Sequence, residues 1–153
     1  MDAAVARAMA KWPNVPAVYG WLELDRRGNW RIKGERIAHA GLREFIARNY
    51  AADQRGRWYF QNGPQRVYVS LAYTPLVVHQ EAEGLVDHCG RPVPLRQGYV
   101  DDEGSVLIEG GAAIALLDDR DLERYADAAA GFPRLASADI EARFGYVRSP
   151  APG

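Results

Sequence analysis

The chain has 153 residues, 48% of them hydrophobic, and its 19 Lys or Arg against 20 Asp or Glu leave a formal net charge of -1. That apolar content over that length buries one core, in a single domain or in two small halves that share it, and excludes a largely disordered chain. The single cysteine, Cys89, excludes an internal disulfide framework, no leader pattern opens the chain, and no apolar run is long enough to cross a bilayer, so a cytoplasmic protein without membrane association is expected.

In chain order, "DAAVARAMAKW" predicts a short helix over residues 2–12, with Ala4, Ala8 and Met9 on one side and Pro13 and Pro16 to stop it. "AVYGWLELD", aromatic and β-branched, predicts a strand. Asp25 to Gly28 supplies a turn, because Asp can bond the backbone two residues on and Gly accepts a positive φ. The chain returns as "WRIKG", with Trp30 and Ile32 facing inward and Arg31 and Lys33 facing water. Leu42, Phe45, Ile46 and Asn49 or Tyr50 then recur at helical spacing, which predicts a helix over about 40–49. Asp53 to Gly56 repeats the turn, and Asn62-Gly63 between two β-favouring runs predicts a hairpin. Pro75 marks a bend before a further strand, and the turn-rich "DHCGRPVPLRQG" reads as a connector. Asp101 to Gly104 is a third copy of the turn, followed by Val106 and Ile108 in inward places. From Asp119 as N-cap, Leu122, Tyr125, Ala126 and Ala129 predict a second long helix ending at Gly131, and Ser137 caps a last short one through Phe144.

Between the first and third copies, Asp25, Gly28, Trp30, Ile32 and Gly34 align at one constant offset with Asp101, Gly104, Val106, Ile108 and Gly110. The expected fold is therefore α+β: two repeated β-hairpin-plus-helix units, mostly antiparallel sheet, with short flanking helices. Residues 1–80 form the first unit with two hairpins, 81–98 a connector, 99–146 the second unit and 147–153 a flexible tail. The turns rest on Asp25, Gly28, Asp53, Gly56, Asp101 and Gly104.

The stretches "DRRGNWRIKGERIAHAGLREFIARNY", "DQRGRWYFQNGPQRVYVSLAYTPLVV" and "GSVLIEGGAAIALLDDRDLERYAD" resemble a bacterial family known as domain of unknown function 1285 and its shorter relatives. The resemblance implies an α+β fold with repeated motifs and a part in ligand binding or signalling, and it brings no catalytic residues. The chain departs from that family in its shorter length and in its own opening, "KWPNVPAVYGWLEL".

No phosphate-cradling glycine loop, nucleophile elbow or paired-cysteine motif is present, and no serine stands beside a histidine that could serve as its base. His79, Glu81, His88 and Cys89 fall within eleven residues but lack the two paired ligands of a zinc site, so neither metal nor cofactor is expected. The informative surface is basic and aromatic: Arg31 and Lys33 on the first hairpin, Arg57 and Tyr59 on the next, and Arg66 on its return strand. Residues 1–70 hold 12 Lys or Arg against 6 Asp or Glu, and the rest hold 7 against 14. Opposite fields of this kind either draw the halves together, within one chain or between two copies as a homodimer, or present a basic face to a polyanion. The leading expectation is a non-catalytic module that binds a small molecule or a protein partner where the two units meet, for regulation or signalling. The alternative is a nucleic-acid-associated protein that uses the basic aromatic face.

Overall fold

The computed structural model describes residues 12–153. The helix expected over residues 2–12 lies almost wholly outside the described residues. The fold is α+β, with two six-stranded mixed sheets and a few short helices. The first sheet is built from β1 (Ala17–Leu24), β2 (Trp30–Ile32), β3 (Glu35–Arg36), β4 (Tyr50–Ala52), β5 (Trp58–Asn62) and β6 (Gln65–Leu71), in the order β3-β2-β1-β6-β5-β4. The second holds β7 (Leu76–Glu81), β8 (Gly84–Asp87), β9 (Gln97–Asp101), β10 (Val106–Glu109), β11 (Ala115–Leu117) and β12 (Arg134–Leu135), in the order β12-β9-β10-β11-β7-β8. Within each unit an antiparallel meander is joined to the rest of its sheet by a parallel pair, β1 with β6 in the first and β11 with β7 in the second.

The repeated phrase forms one backbone motif, and the fold uses it four times. At Asp25, Asp53, Asp87 and Asp101, Oδ1 accepts the N–H groups two and four residues on, at 2.8–3.0 Å. The glycine three residues on donates to the Asp carbonyl at 2.9–3.2 Å, and the Asp N–H closes the loop onto the carbonyl four on. Gly28, Gly56, Gly90 and Gly104 have φ of 80, 78, 88 and 84°, the left-handed region in which a Cβ is strained. The turn at Asp87 falls inside the stretch read as a connector, where β8 runs into it and Val93 bonds back to Leu85.

Packing departs from the expected alternation in the second sheet. Val106, Leu107 and Ile108 are all buried, as are Leu76 to Val78 and Ala115 to Leu117, so these strands are covered on both faces and not on one. In the first sheet Val18, Leu22, Trp58, Phe60, Val67 and Val69 face a core closed by helix α1 (Ala40–Arg48). Phe45 of that helix meets Phe60 edge-on at 5.4 Å, and His39 caps it by accepting the Leu42 N–H on Nδ1.

The long helix expected from Asp119 does not form. Asp118 is the cap, accepting the Arg120 N–H, and it opens two 3-10 turns (Asp119–Asp121, Glu123–Tyr125) followed by the single-turn helix α2 (Ala126–Ala129). None of these pieces has a fully buried side chain, so little apolar burial holds a continuous helix together. The last helix, α3 (Ile140–Phe144), follows a 3-10 turn at Ser137–Asp139 and buries Ile140.

The halves meet through the first turn and the β6–β7 link. Arg26 bonds Ser105, Arg27 pairs with Asp119 at 2.8 Å, and Gly28 abuts His88. Tyr73 donates to Asp101 Oδ2 at 2.8 Å, and Tyr50 to the Pro75 carbonyl at 2.7 Å, both buried. Residues 146–151 run back along the first sheet, with Val147 bridging Arg57 and Leu71 donating to the Arg148 carbonyl.

Candidate functional site

Two clefts concentrate the polar and aromatic side chains. The larger, about 760 Å³, lies on the outer face of the first sheet. Strand alternation sends Trp58 and Phe60 into the core and leaves Arg57 and Tyr59 facing out, while β6 presents Arg66 beside them with Tyr68 buried behind. Tyr19 of β1 stacks on Tyr68 at 4.8 Å with planes 3° apart, and Tyr59 meets Tyr68 edge-on at 5.8 Å. Arg66 lies over Tyr59 at 4.3 Å and Arg57 over Tyr68 at 4.8 Å.

Asp53 is the carboxylate of this cleft, and its oxygens are engaged. Besides the turn N–H groups, it accepts Arg57 Nε at 2.8 Å and the Tyr68 hydroxyl at 3.2 Å. Burial alone would raise the carboxyl, but the Arg57 and Arg55 N–H groups and the Arg57 guanidinium hold it below the usual carboxylate range. Arg55 and Arg66 pair with no carboxylate among the described residues. Arg55 instead reaches the Gly153 carbonyl, and Arg57 the Ala151 carbonyl at 3.2 Å.

The structure thus brings Arg57, Tyr59 and Arg66 together and leaves Arg31 and Lys33 elsewhere. Arg31 gives Nε to Asp25 at 2.8 Å and another nitrogen to the Gly34 carbonyl, and Lys33 sits in the β2–β3 turn over the Trp21 ring at 4.6 Å.

The second cleft, about 490 Å³, opens at the junction of the units. Its walls come from three separate segments: Gly28 to Trp30, Arg36 with Arg43 to Arg48 along α1, and His88 to Gly90 of the fourth turn. Arg36, Arg43 and Arg48 face a single carboxylate, Glu44. Asn29 orients Arg36 by accepting its Nε at 3.1 Å, and Arg43 donates to the Ile37 and Ala38 carbonyls. Arg48 has no side-chain partner among the described residues. The His88 ring forms the floor, edge-on to Trp30 at 5.0 Å and to Tyr50 at 5.5 Å. Its Nδ1 accepts the Val77 N–H at 3.2 Å, which places the proton on Nε2, a buried atom with no oxygen or nitrogen partner.

The family described as a protein of unknown function (DUF2946) matches residues 1–151. The chain belongs to that family. No curated protein matches it. Two crystal structures of DUF1285 family proteins share the fold of this DUF2946 chain. One, from Shewanella baltica OS155, is 14% identical with a TM-score of 0.52 and covers 69% of this chain and 90% of its own. The other, from Silicibacter pomeroyi DSS-3, is 17% identical with a TM-score of 0.54 and covers 83% and 84%. At such identities the likeness establishes architecture alone.

The junction residues have limited chemistry of their own. Burial, with Arg91 nearby, pushes the His88 imidazole down to about 3, and burial, with Asp87 beside it, pushes the Cys89 thiol up to about 12. Both shifts oppose a thiolate–imidazolium pair at neutral pH. His79 pairs with Glu81 at 2.7 Å, and among the described residues no three His, Cys, Asp or Glu side chains converge as metal ligands. No helix of the described residues is long and apolar enough to cross a membrane.

Proposed function

We propose that this DUF2946 chain is a non-catalytic cytoplasmic module that binds a small, multiply charged anion in the junction cleft and reports that binding through the contact between its two units. One observation carries the reading: turns from both units form one cleft, and three arginines face one glutamate there. Guanidinium groups suit phosphate or carboxylate geometry, and a cleft of this size falls within the range that holds metabolites. Because Gly28 rests on His88, an anion drawn between α1 and the fourth turn bears on how the units sit together. Such coupling fits a regulatory or signalling role.

Thermal denaturation with added pyrophosphate or citrate tests the proposal. A ligand present at about 100 times its Kd stabilises by about 2.7 kcal/mol, or roughly 5–11 °C in Tm for a chain of this size. The gain is expected to vanish in Arg43→Gln/Arg48→Gln. Absence of a shift with either anion up to millimolar concentrations, or a shift that persists in the double variant, refutes the site.

A further inference from the structure

The outer cleft of the first sheet is separate from the junction, and its residues have a different logic. We propose that it holds a short stretch of single-stranded nucleic acid. Arg57 immediately precedes β5 and lies two residues before Tyr59, while Arg66 of β6 lies over the Tyr59 ring, so cations flank an accessible ring on one face, with the buried Tyr68 ring behind it. Single-stranded nucleic acid likewise flanks each base with phosphates, and aromatic sheet faces with arginines stack such bases. The accessible rings are already set in place: Tyr19 is stacked on, and Tyr59 stands edge-on to, the buried Tyr68 ring, so a base meets Tyr19 or Tyr59 without ordering a loose side chain.

Charge favours the same partner. The cleft carries Arg55, Arg57 and Arg66 against Asp53, whose oxygens are taken up by its turn, by Arg57 and by Tyr68. Arg66 is held by the Tyr68 hydroxyl and the Tyr59 ring and not by an acid, so its charge is not neutralised before a phosphate arrives. The strands that build the face all come from residues 1–70, the half with 12 Lys or Arg against 6 Asp or Glu. Glu23 is the nearby acid of that face, on β1 opposite Arg31. Arg57 and Arg55 donate to the Ala151 and Gly153 carbonyls at the rim, so a bound phosphate would replace main-chain oxygens there.

Fluorescence anisotropy with a labelled twelve-residue oligo(dT) decides the matter, using the full chain. Three phosphate contacts give a log–log salt slope of about −2, so affinity should fall roughly 15- to 20-fold between 50 and 200 mM salt. Arg66→Gln should reduce that slope by about one contact and weaken binding about tenfold. Tyr59→Ala should weaken it roughly fivefold to a hundredfold, while Tyr59→Phe, which keeps the ring and the fold, should bind as the parent does. Arg124→Gln, an exposed position outside both clefts, should leave oligo(dT) affinity and its salt slope unchanged. No binding at 50 mM salt, equal affinity for a duplex of the same length, displacement by equimolar pyrophosphate, or indifference to Arg66→Gln would each overturn the proposal.

Discussion

Replacing the turn glycines one at a time separates what the motif requires of its backbone from what its neighbours require. Moving an L residue into the left-handed region costs roughly 1–2 kcal/mol wherever it occurs. At Gly104 a Cβ would meet nothing within 4 Å, so Gly104→Ala should cost about that and no more. At Gly56 the added Cβ would lie 2.2 Å from the Gly145 carbonyl oxygen and 3.0 Å from the Tyr146 Cα, both backbone atoms that move only if the returning segment moves. Overpacking of this kind adds roughly 1–3 kcal/mol, for a total of about 2–5 kcal/mol. Gly28→Ala should fall with Gly56→Ala, since its Cβ would stand 2.8 Å from the His88 Cβ. In a chain of this length each kcal/mol is worth about 2–4 °C, so Gly104→Ala should lose roughly 2–8 °C and the other two as much as about 20 °C. Equilibrium urea unfolding followed by tryptophan fluorescence, with Tm measured alongside, supplies the comparison. If all three variants lost equal stability, the close contacts of Gly28 with His88 and of Gly56 with Gly145 would have no energetic role and the reasoning would fail.

The histidine and cysteine of the junction give two more tests. His88 is held at about 3 in the fold against an ordinary 6.5, so its contribution to stability is complete above about pH 6.5 and declines as pH falls toward 3, by an amount on the order of a few kcal/mol. Nitrogen-15 NMR of the imidazole should show neutral, Nε2-protonated His88 at pH 5, and a protonated ring there would contradict the burial described. Cys89, half-buried with its thiol raised to about 12, should react with a maleimide at a rate set by opening of the fold, and denaturant should accelerate labelling by orders of magnitude. Rapid labelling of the native protein would show an exposed thiolate instead.

The turns were legible because their chemistry is local. An Asp whose carboxylate must reach two N–H groups, followed by a glycine at positive φ, leaves a mark within five residues, and the copies at Asp25, Asp53 and Asp101 can be read directly. The copy at Asp87 is hidden because His88 and Cys89 look like chemistry and Pro92 and Pro94 look like loop, which masks the Asp-x-x-Gly spacing. Helix α1 was legible from Leu42, Phe45 and Ile46, which have a core to cover. The segment from Asp119 has helical spacing too, but Leu122, Tyr125 and Ala129 are only partly buried against the core, and that does not sustain a long helix. On the basic face, Tyr59 and Arg66 stand on adjacent strands and Arg57 immediately precedes β5, so strand alternation alone brings the three together. It could not show that Arg31 is taken up by Asp25, its own turn residue. The junction cleft draws on residues 28–30, 36–48 and 88–90, and no local pattern links segments so far apart.

The bridge between Arg57 and Val147 ties two strands of chain that leave the ribosome roughly ninety residues apart. At about 5–20 residues per second, the first sheet waits several seconds for that neighbour, and until then the backbone around Gly56 lacks its Val147 partner. A nascent chain stalled before residue 147 would therefore present an unsealed border to its neighbours on a polysome.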